Sequence, residues 1–208
     1  MGSCYVVGAG EFTSKGFFPQ AEDLVIAADG GYDALHALGV QPHLLVGDMD
    51  SLSHLPVDIP TFRAPVEKDD TDMSLALEAG CARGFKSFVI YGGGGGRMDH
   101  FWANLQEMGR LSRCGYEVRM VCCGYEVIAL TGGVLKLPSR AQGTLVSVFC
   151  HGEQAKGVSL EGLKYPLVNA TLTCDKPLGV SNEYTGETAC VTVENGTLLI
   201  IVFNEPQA

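Results

Sequence analysis

An α/β domain followed by an all-β domain is the fold class this chain predicts, and three observations carry it. Short apolar runs alternate with helix-like stretches as far as about Cys122. Beyond Gly124, strand-like runs follow one another with turn signals between them and no helical period. The length of 208 residues holds two compact domains, and no low-complexity linker parts them. The expected boundary gives an α/β domain over residues 1–124, with a mostly parallel sheet, and an all-β domain over 125–208.

In the first half, strands are expected at 4–7, 24–28, 44–46, 87–91 and 118–122, each short and apolar. Helices are expected at 31–38, 72–83 and 99–113. Thr71 or Asp72 is a natural N-cap for the second of these, before Met73-Ser-Leu-Ala-Leu-Glu78, and Gly84 marks its end. In the second half the strand-like runs are 125–130, 134–137, 144–149, 158–160, 168–173, 189–193 and 198–203. Turn signals separate them at Thr131-Gly-Gly133, Glu161-Gly162, Lys176-Pro177 and Glu194-Asn-Gly196. Such a series argues an antiparallel sandwich or barrel.

Composition narrows the function. The chain is 46% hydrophobic and 18% charged, which are globular values. Its formal net charge of −10 disfavours nucleic acid, whose affinity comes largely from Lys and Arg displacing counterions. A small anionic ligand stays possible, because local cations or a metal reverse the field in one pocket. The longest apolar run, Leu198 to Phe203, is far short of the ~20 residues of a membrane helix, so no membrane partner is expected. The N-terminus shows no basic stretch ahead of an apolar one, so no export signal is read there. The eight cysteines form no CxxC pair, and reduced, buried thiols in a cytoplasmic protein are the expectation.

Ligands of an open α/β sheet bind beyond the C-terminal ends of its strands. Here those positions carry Gly8-Ala-Gly10, Asp29-Gly-Gly31, Gly47-Asp-Met-Asp-Ser51 and Gly92-Gly-Gly-Gly-Gly96-Arg-Met-Asp-His100, with Lys68-Asp-Asp-Thr-Asp72 opening the second helix. Gly8-x-Gly10 reads as a tight turn, and a dinucleotide fingerprint would need glycine where Thr13 stands. Asp48 and Asp50, alternate residues, form either an Asx turn or one side of a Mg²⁺ site, and Asp72 can project toward the same cation. Lys68 is placed to meet a phosphate as a point charge. The five glycines are read as too costly to serve packing; their bare N–H groups at a helix start form an anion cradle or else a flexible hinge. Arg97 adds a planar fork for phosphate oxygens, whereas His100 reads equally as a helix-surface or capping residue. An acidic metal nest beside a basic glycine cradle suits Mg–nucleotide phosphoryl chemistry.

The segments Asp29-Gly-Gly31, Gly47–Ser51, Lys68–Asp72, Gly95-Gly-Arg-Met-Asp-His100 with Asn104, Gly162-Leu-Lys-Tyr165 and Gly179-Val-Ser-Asn-Glu183 stand in the order seen in the thiamine pyrophosphokinase (thiamine diphosphokinase) family, which this chain resembles over nearly its whole length. The resemblance implies a Rossmann-like N-terminal domain and a C-terminal β-sandwich. It implies pyrophosphoryl transfer from ATP to the hydroxyethyl oxygen of thiamine, giving thiamine diphosphate and AMP. It also implies a homodimer, with thiamine between the α/β domain of one subunit and the sandwich of the other. Asp48, Asp50 and Asp72 would hold Mg²⁺, and Asp99 would support the metal or the attacking hydroxyl. ATP would meet Asp29, Gly30, Lys68 and Thr71 on one side, and Gly95, Gly96, Arg97 and His100 on the other. Ser181, Asn182 and Tyr165 would contact thiamine. Asp99 or Asp48 would take the hydroxyl proton late in the transfer. Three other readings compete: a pyrophosphokinase for another small alcohol such as a hydroxymethyl pterin, a non-catalytic Mg–nucleotide sensor, and a nicotinamide oxidoreductase.

Overall fold

The structure, a computed structural model, describes residues 2–49, 52–53, 58–63 and 70–206. It divides into two compact units, one comprising Met1–Glu107 and Val118–Cys123, the other Met108–Glu117 and Gly124–Ala208.

The first unit is built on β1 (Cys4–Val7), β2 (Leu24–Ala28), β3 (Leu44–Gly47), β4 (Thr61–Arg63), β5 (Ser87–Tyr91) and β6 (Glu117–Cys122), with α1 (Gly31–Ala37), α2 (Asp72–Ala82) and the start of α3 (Met98–Arg113), whose residues from Met108 onward belong to the second unit. β1 pairs in parallel with β2 on one side and β5 on the other; β2 pairs with β3 and β3 with β4, also in parallel. The register puts Val7 level with Ala27 and Tyr91, Ala28 level with Val46, and Gly47 level with Arg63. Successive strands therefore end together, and the loops that follow them converge on one edge. The chain runs outward from β1 to β4 and then returns to the far side of β1, so the order reverses between β1 and β5. A crevice opens at such a reversal.

β1 and β3 are buried along their whole length, as parallel strands covered on both faces must be. Phe17 packs edge to face on both Tyr5 and Tyr91, with ring centroids 5.5 Å (Tyr5–Phe17) and 5.1 Å (Phe17–Tyr91) apart. Full burial of side chains of this size contributes roughly 1.5–3 kcal/mol each. The strand over Thr61–Arg63 was not expected from the sequence, since three residues carry no readable period.

The second unit holds β7 (Tyr125–Leu137), β8 (Thr144–Cys150), β9 (Gln154–Glu161), β10 (Leu167–Thr173), β11 (Gly179–Glu183) and β12 (Ala189–Pro206), every pair among them antiparallel. β12 pairs with β7 along most of its length. Its other edge pairs first with β9, at Cys190–Asn195, and then with β8, from Leu198 onward. The register shifts between Val193 and Thr197. Two expected turns are thereby corrected. Thr131–Gly133 lies inside β7, and Glu194–Gly196 lies inside β12 as the irregularity at which it changes partner. β11, read only as a motif in the sequence, is also a strand. Val146, Val148, Val158, Leu160, Tyr184, Val191 and Ile200 are buried together in this unit's core.

The sheet is mixed: β5, β1, β2, β3 and β4 pair in parallel, and β7 to β12 pair antiparallel. All eight cysteines are free, but only Cys4 and Cys122 are buried; Cys114, Cys123 and Cys174 are exposed, which corrects the expectation of buried thiols. Burial pushes the Cys4 thiol up to about 12, so it stays protonated and inert.

Candidate active site

A cavity of about 770 Å³ opens in the first unit, at the converging strand ends. Gly8–Gly10 enter it after β1, Asp29 after β2 and Asp48 after β3. Asp70, Thr71, Asp72 and Met73 come from the start of α2. Gly92–Gly96 and Arg97 link β5 to α3, and His100 and Asn104 project from α3. Asp29, Asp48, Thr71, Asp72, Gly95, Gly96, Arg97 and His100, all singled out in the sequence, thus line one space. Gly30 is not among the lining residues and is the N-cap of α1. Asp50 and Lys68 lie outside the described residues.

Local structure fixes these positions. Thr71 is the N-cap of α2: its side-chain oxygen accepts from the Ser74 N–H at 3.1 Å, which settles the choice between Thr71 and Asp72 and leaves Asp72 in the first turn. Asp29 (φ 47°) and Met49 (φ 66°) hold left-handed backbone, a strained conformation for residues with a side chain and one that collects at functional sites.

The glycine run needs a correction. Its glycines do serve packing, because the loops after β1 and β5 lace together. Gly10 N–H donates to Gly92 O and Glu11 N–H to Gly94 O, both at 2.8 Å. A Cβ on Gly92 would collide with the Gly8 carbonyl, and one on Gly95 would stand 2.7 Å from Glu11 Cβ. At Gly96 there is open space for one. Buried Asn104 pins the loop by donating from Nδ2 to Gly93 O at 2.8 Å. Gly8–Gly10, read as an ordinary turn, is therefore half of the cradle. Its partner lies some eighty residues on, and only the parallel pairing of β1 with β5 brings the two together.

Arg97 and Asp99 form an exposed ion pair, Nε donating to Oδ1 at 3.1 Å and Nη2 to Oδ2. The guanidinium holds the Asp99 carboxyl down to about 2. Asp99 is not among the residues that line the cavity.

Tyr165, Ser181 and Asn182 belong to the second unit. Tyr165 is 56% exposed, with Lys164 Nζ 5.3 Å from its ring centroid. Lys164 also pairs with Glu183 at 2.8 Å. Ser181 is left-handed (φ 55°), and its N–H donates to Ser147 Oγ. Asn182 is buried, its amide bonded to main chain. No helix is long and apolar enough to cross a membrane among the described residues.

Carboxylates and a glycine cradle at the order reversal of a parallel sheet define a nucleotide-using transferase. Comparison with known proteins narrows the class. Residues 18–120 match the model of the thiamin pyrophosphokinase catalytic domain, and residues 134–198 that of the thiamin pyrophosphokinase vitamin B1 binding domain. The chain belongs to the thiamin pyrophosphokinase family, enzymes that transfer pyrophosphate from ATP to thiamine. A thiamine pyrophosphokinase of Bacillus subtilis (strain 168) is 27% identical over 184 residues, 86% of each chain. Among solved structures, thiamine pyrophosphokinase from Bacillus subtilis superposes with a TM-score of 0.87 at 24% identity, covering 97% of this chain and 98% of that one. The Geobacillus thermodenitrificans thiamin pyrophosphokinase gives 0.84 at 24% identity, covering 98% of each. The Candida albicans enzyme gives 0.79 at 14%, covering 97% and 90%. Family membership sets aside the pterin, sensor and oxidoreductase readings.

Proposed function

We propose that ATP lies in the strand-end cavity of the first unit, its phosphates against the laced glycine loops, Thr71, His100 and Arg97, with Asp29, Gly30 and Lys68 completing the nucleotide site. What carries this reading is the convergence of Asp48, Asp70 and Asp72 with Gly92–Gly96 and Arg97 on one cavity. Mg²⁺ is assigned to Asp48, Asp72 and Asp50. Hard carboxylate oxygens are the donors that ion prefers, and Asp48 and Asp72 line the same space. The third ligand is assigned to Asp50, the alternate residue to Asp48, which lies outside the described residues. Bound there, the ion supplies charge neutralisation on the transferring phosphates.

In the transfer, the thiamine hydroxyl oxygen attacks the β-phosphorus. The bond from that phosphorus to the oxygen shared with the α-phosphate breaks, and AMP departs with that oxygen. The hydroxyl proton passes to a carboxylate oxygen of Asp48. Asp99 pairs with Arg97 and is not among the residues that line the cavity, and it is assigned instead to orienting the Arg97 fork. Thiamine is placed on the second unit against Tyr165 and Ser181. The same reading makes residues 1–124 a Rossmann-like catalytic domain and 125–208 a β-sandwich thiamine-binding domain, in a cytoplasmic homodimer. Exposed Tyr165, Val168, Leu178 and Val180 support such self-association, and a solution mass twice the chain's 22.1 kDa tests it.

The deciding assay incubates purified protein with ATP, Mg²⁺ and thiamine, and expects AMP and thiamine diphosphate in equal amounts. Asp72→Ala is expected to lower turnover about a hundredfold at saturating Mg²⁺. Near-normal turnover in that variant overturns the metal assignment.

A further inference from the structure

Asn182 lies on β11 and is 3% exposed. Its Oδ1 accepts from the main-chain N–H groups of Tyr165 and Glu183, both at 2.9 Å. Its Nδ2 donates to the Tyr165 carbonyl at 2.7 Å. This pattern fixes the amide's orientation, because exchanging O and N would set donor against donor. Both lone pairs and one of the two N–H bonds are thereby used on backbone, in a side chain with almost no surface. Such an amide is poorly placed to bind a ligand as well.

Its bonds give Tyr165 what a neighbouring strand gives a residue: one donor to its carbonyl and one acceptor to its N–H. The flanking residues continue the pairing. Lys164 N–H donates to Glu183 O at 2.9 Å, and Leu163 bridges to Tyr184. Pro166 follows, with no N–H to extend the ladder. The main chain of Tyr165 is thus clamped from behind while its ring stands in solvent.

We propose that Asn182 is a positioning residue that makes no contact with thiamine and fixes the Tyr165 backbone so that the ring meets the acceptor. This rests on the placement of thiamine against Tyr165 and Ser181 given above.

The test is a double-mutant cycle in the full chain, with Asn182→Asp, Tyr165→Ala and the pair, reading thiamine KM, ATP KM and kcat. Asn182→Asp keeps both acceptor bonds and sets a carboxylate oxygen against the Tyr165 carbonyl. It is expected to raise thiamine KM about tenfold, with ATP KM and kcat at saturating thiamine unchanged. In the Tyr165→Ala background the same change is expected to add less than about twofold. A full tenfold effect surviving without the ring overturns the proposal. A Tyr165→Ala enzyme with unaltered thiamine KM overturns it differently, by showing that the acceptor site lies elsewhere. Should Asn182→Asp fold poorly, the unmodified protein decides by NMR during a thiamine titration. The Tyr165 ring signals are expected to move and the Asn182 carboxamide signals to stay, and the reverse order refutes the clamp.

Discussion

At the scale of single residues, Arg97 turns its fork onto the carboxylate two positions away, although its side chain is 72% exposed. A phosphate that takes this guanidinium has to displace Asp99 or share the fork with it, and the exchange swaps one charge-assisted pair for another. The pair also explains why exposed Asp99 is held to about 2: the first cause is the hydrogen bond from Arg97, with the His100 N–H contributing less. Arg97→Gln is therefore expected to let Asp99 climb back toward 3.8, followed by carbon NMR of its carboxyl group. The same variant is expected to raise ATP KM about tenfold or more while leaving the fold intact. An Asp99 that still titrates near 2 would show that the start of α3, and not Arg97, holds it down.

Among the elements, the cradle is two glycine loops laced to each other, and its glycines are not equivalent. Gly92 has φ 60° and its missing Cβ leaves room for the Gly8 carbonyl; Gly96 has the same φ but open space. Left-handed backbone costs an alanine roughly 1–2 kcal/mol, and a backbone collision adds to that. Gly92→Ala is expected to lose at least about 3 kcal/mol in urea unfolding and Gly96→Ala about 1 kcal/mol, and equal losses would remove the lacing from the account. The contrast also marks what was readable in advance. That Asp48, Asp72 and Arg97 would line one space was legible because their segments stand at or beyond the strand ends, where an open α/β sheet gathers its loops. The packing role of the glycines was not, since it depends on β1 and β5 being neighbours, a relation no local pattern encodes. β7 and β12 were each broken in two by their Gly-containing turn signals, because a bulge and a turn use the same residues and differ only in what pairs across them. Nothing in the motif distinguishes Asn182, expected with Ser181 at the thiamine, from its neighbour; that its amide bonds the main chain of Tyr165 depends on burial.

For the molecule as a whole, the net charge of −10 and an isoelectric point near 4.8 mean that acidification first removes self-repulsion and favours compactness. His151 works against that trend. It follows β8, and its ring lies over Gly109 of α3, where any Cβ would displace it. Its Nδ1 stands 3.1 Å from Arg113 Nη1, so the neutral ring accepts from the guanidinium and a protonated ring would face it as a second cation. Burial, and then Arg113, hold His151 below its usual 6.5. A base whose folded value is depressed binds fewer protons folded than unfolded, so its contribution is present above pH 6.5 and is lost as pH falls through the folded value. Melting temperature is accordingly expected to decline from pH 7 toward pH 5, and His151→Gln is expected to flatten that decline while leaving the pH 7 value within a few degrees. Arg113→Gln is expected to raise the His151 midpoint in a proton NMR titration, since it removes the opposing charge and leaves the burial. If the midpoint stays put, burial on Gly109 accounts for the depression alone, and Gly109→Ala, which pushes the ring toward solvent, becomes the variant that brings it back to 6.5.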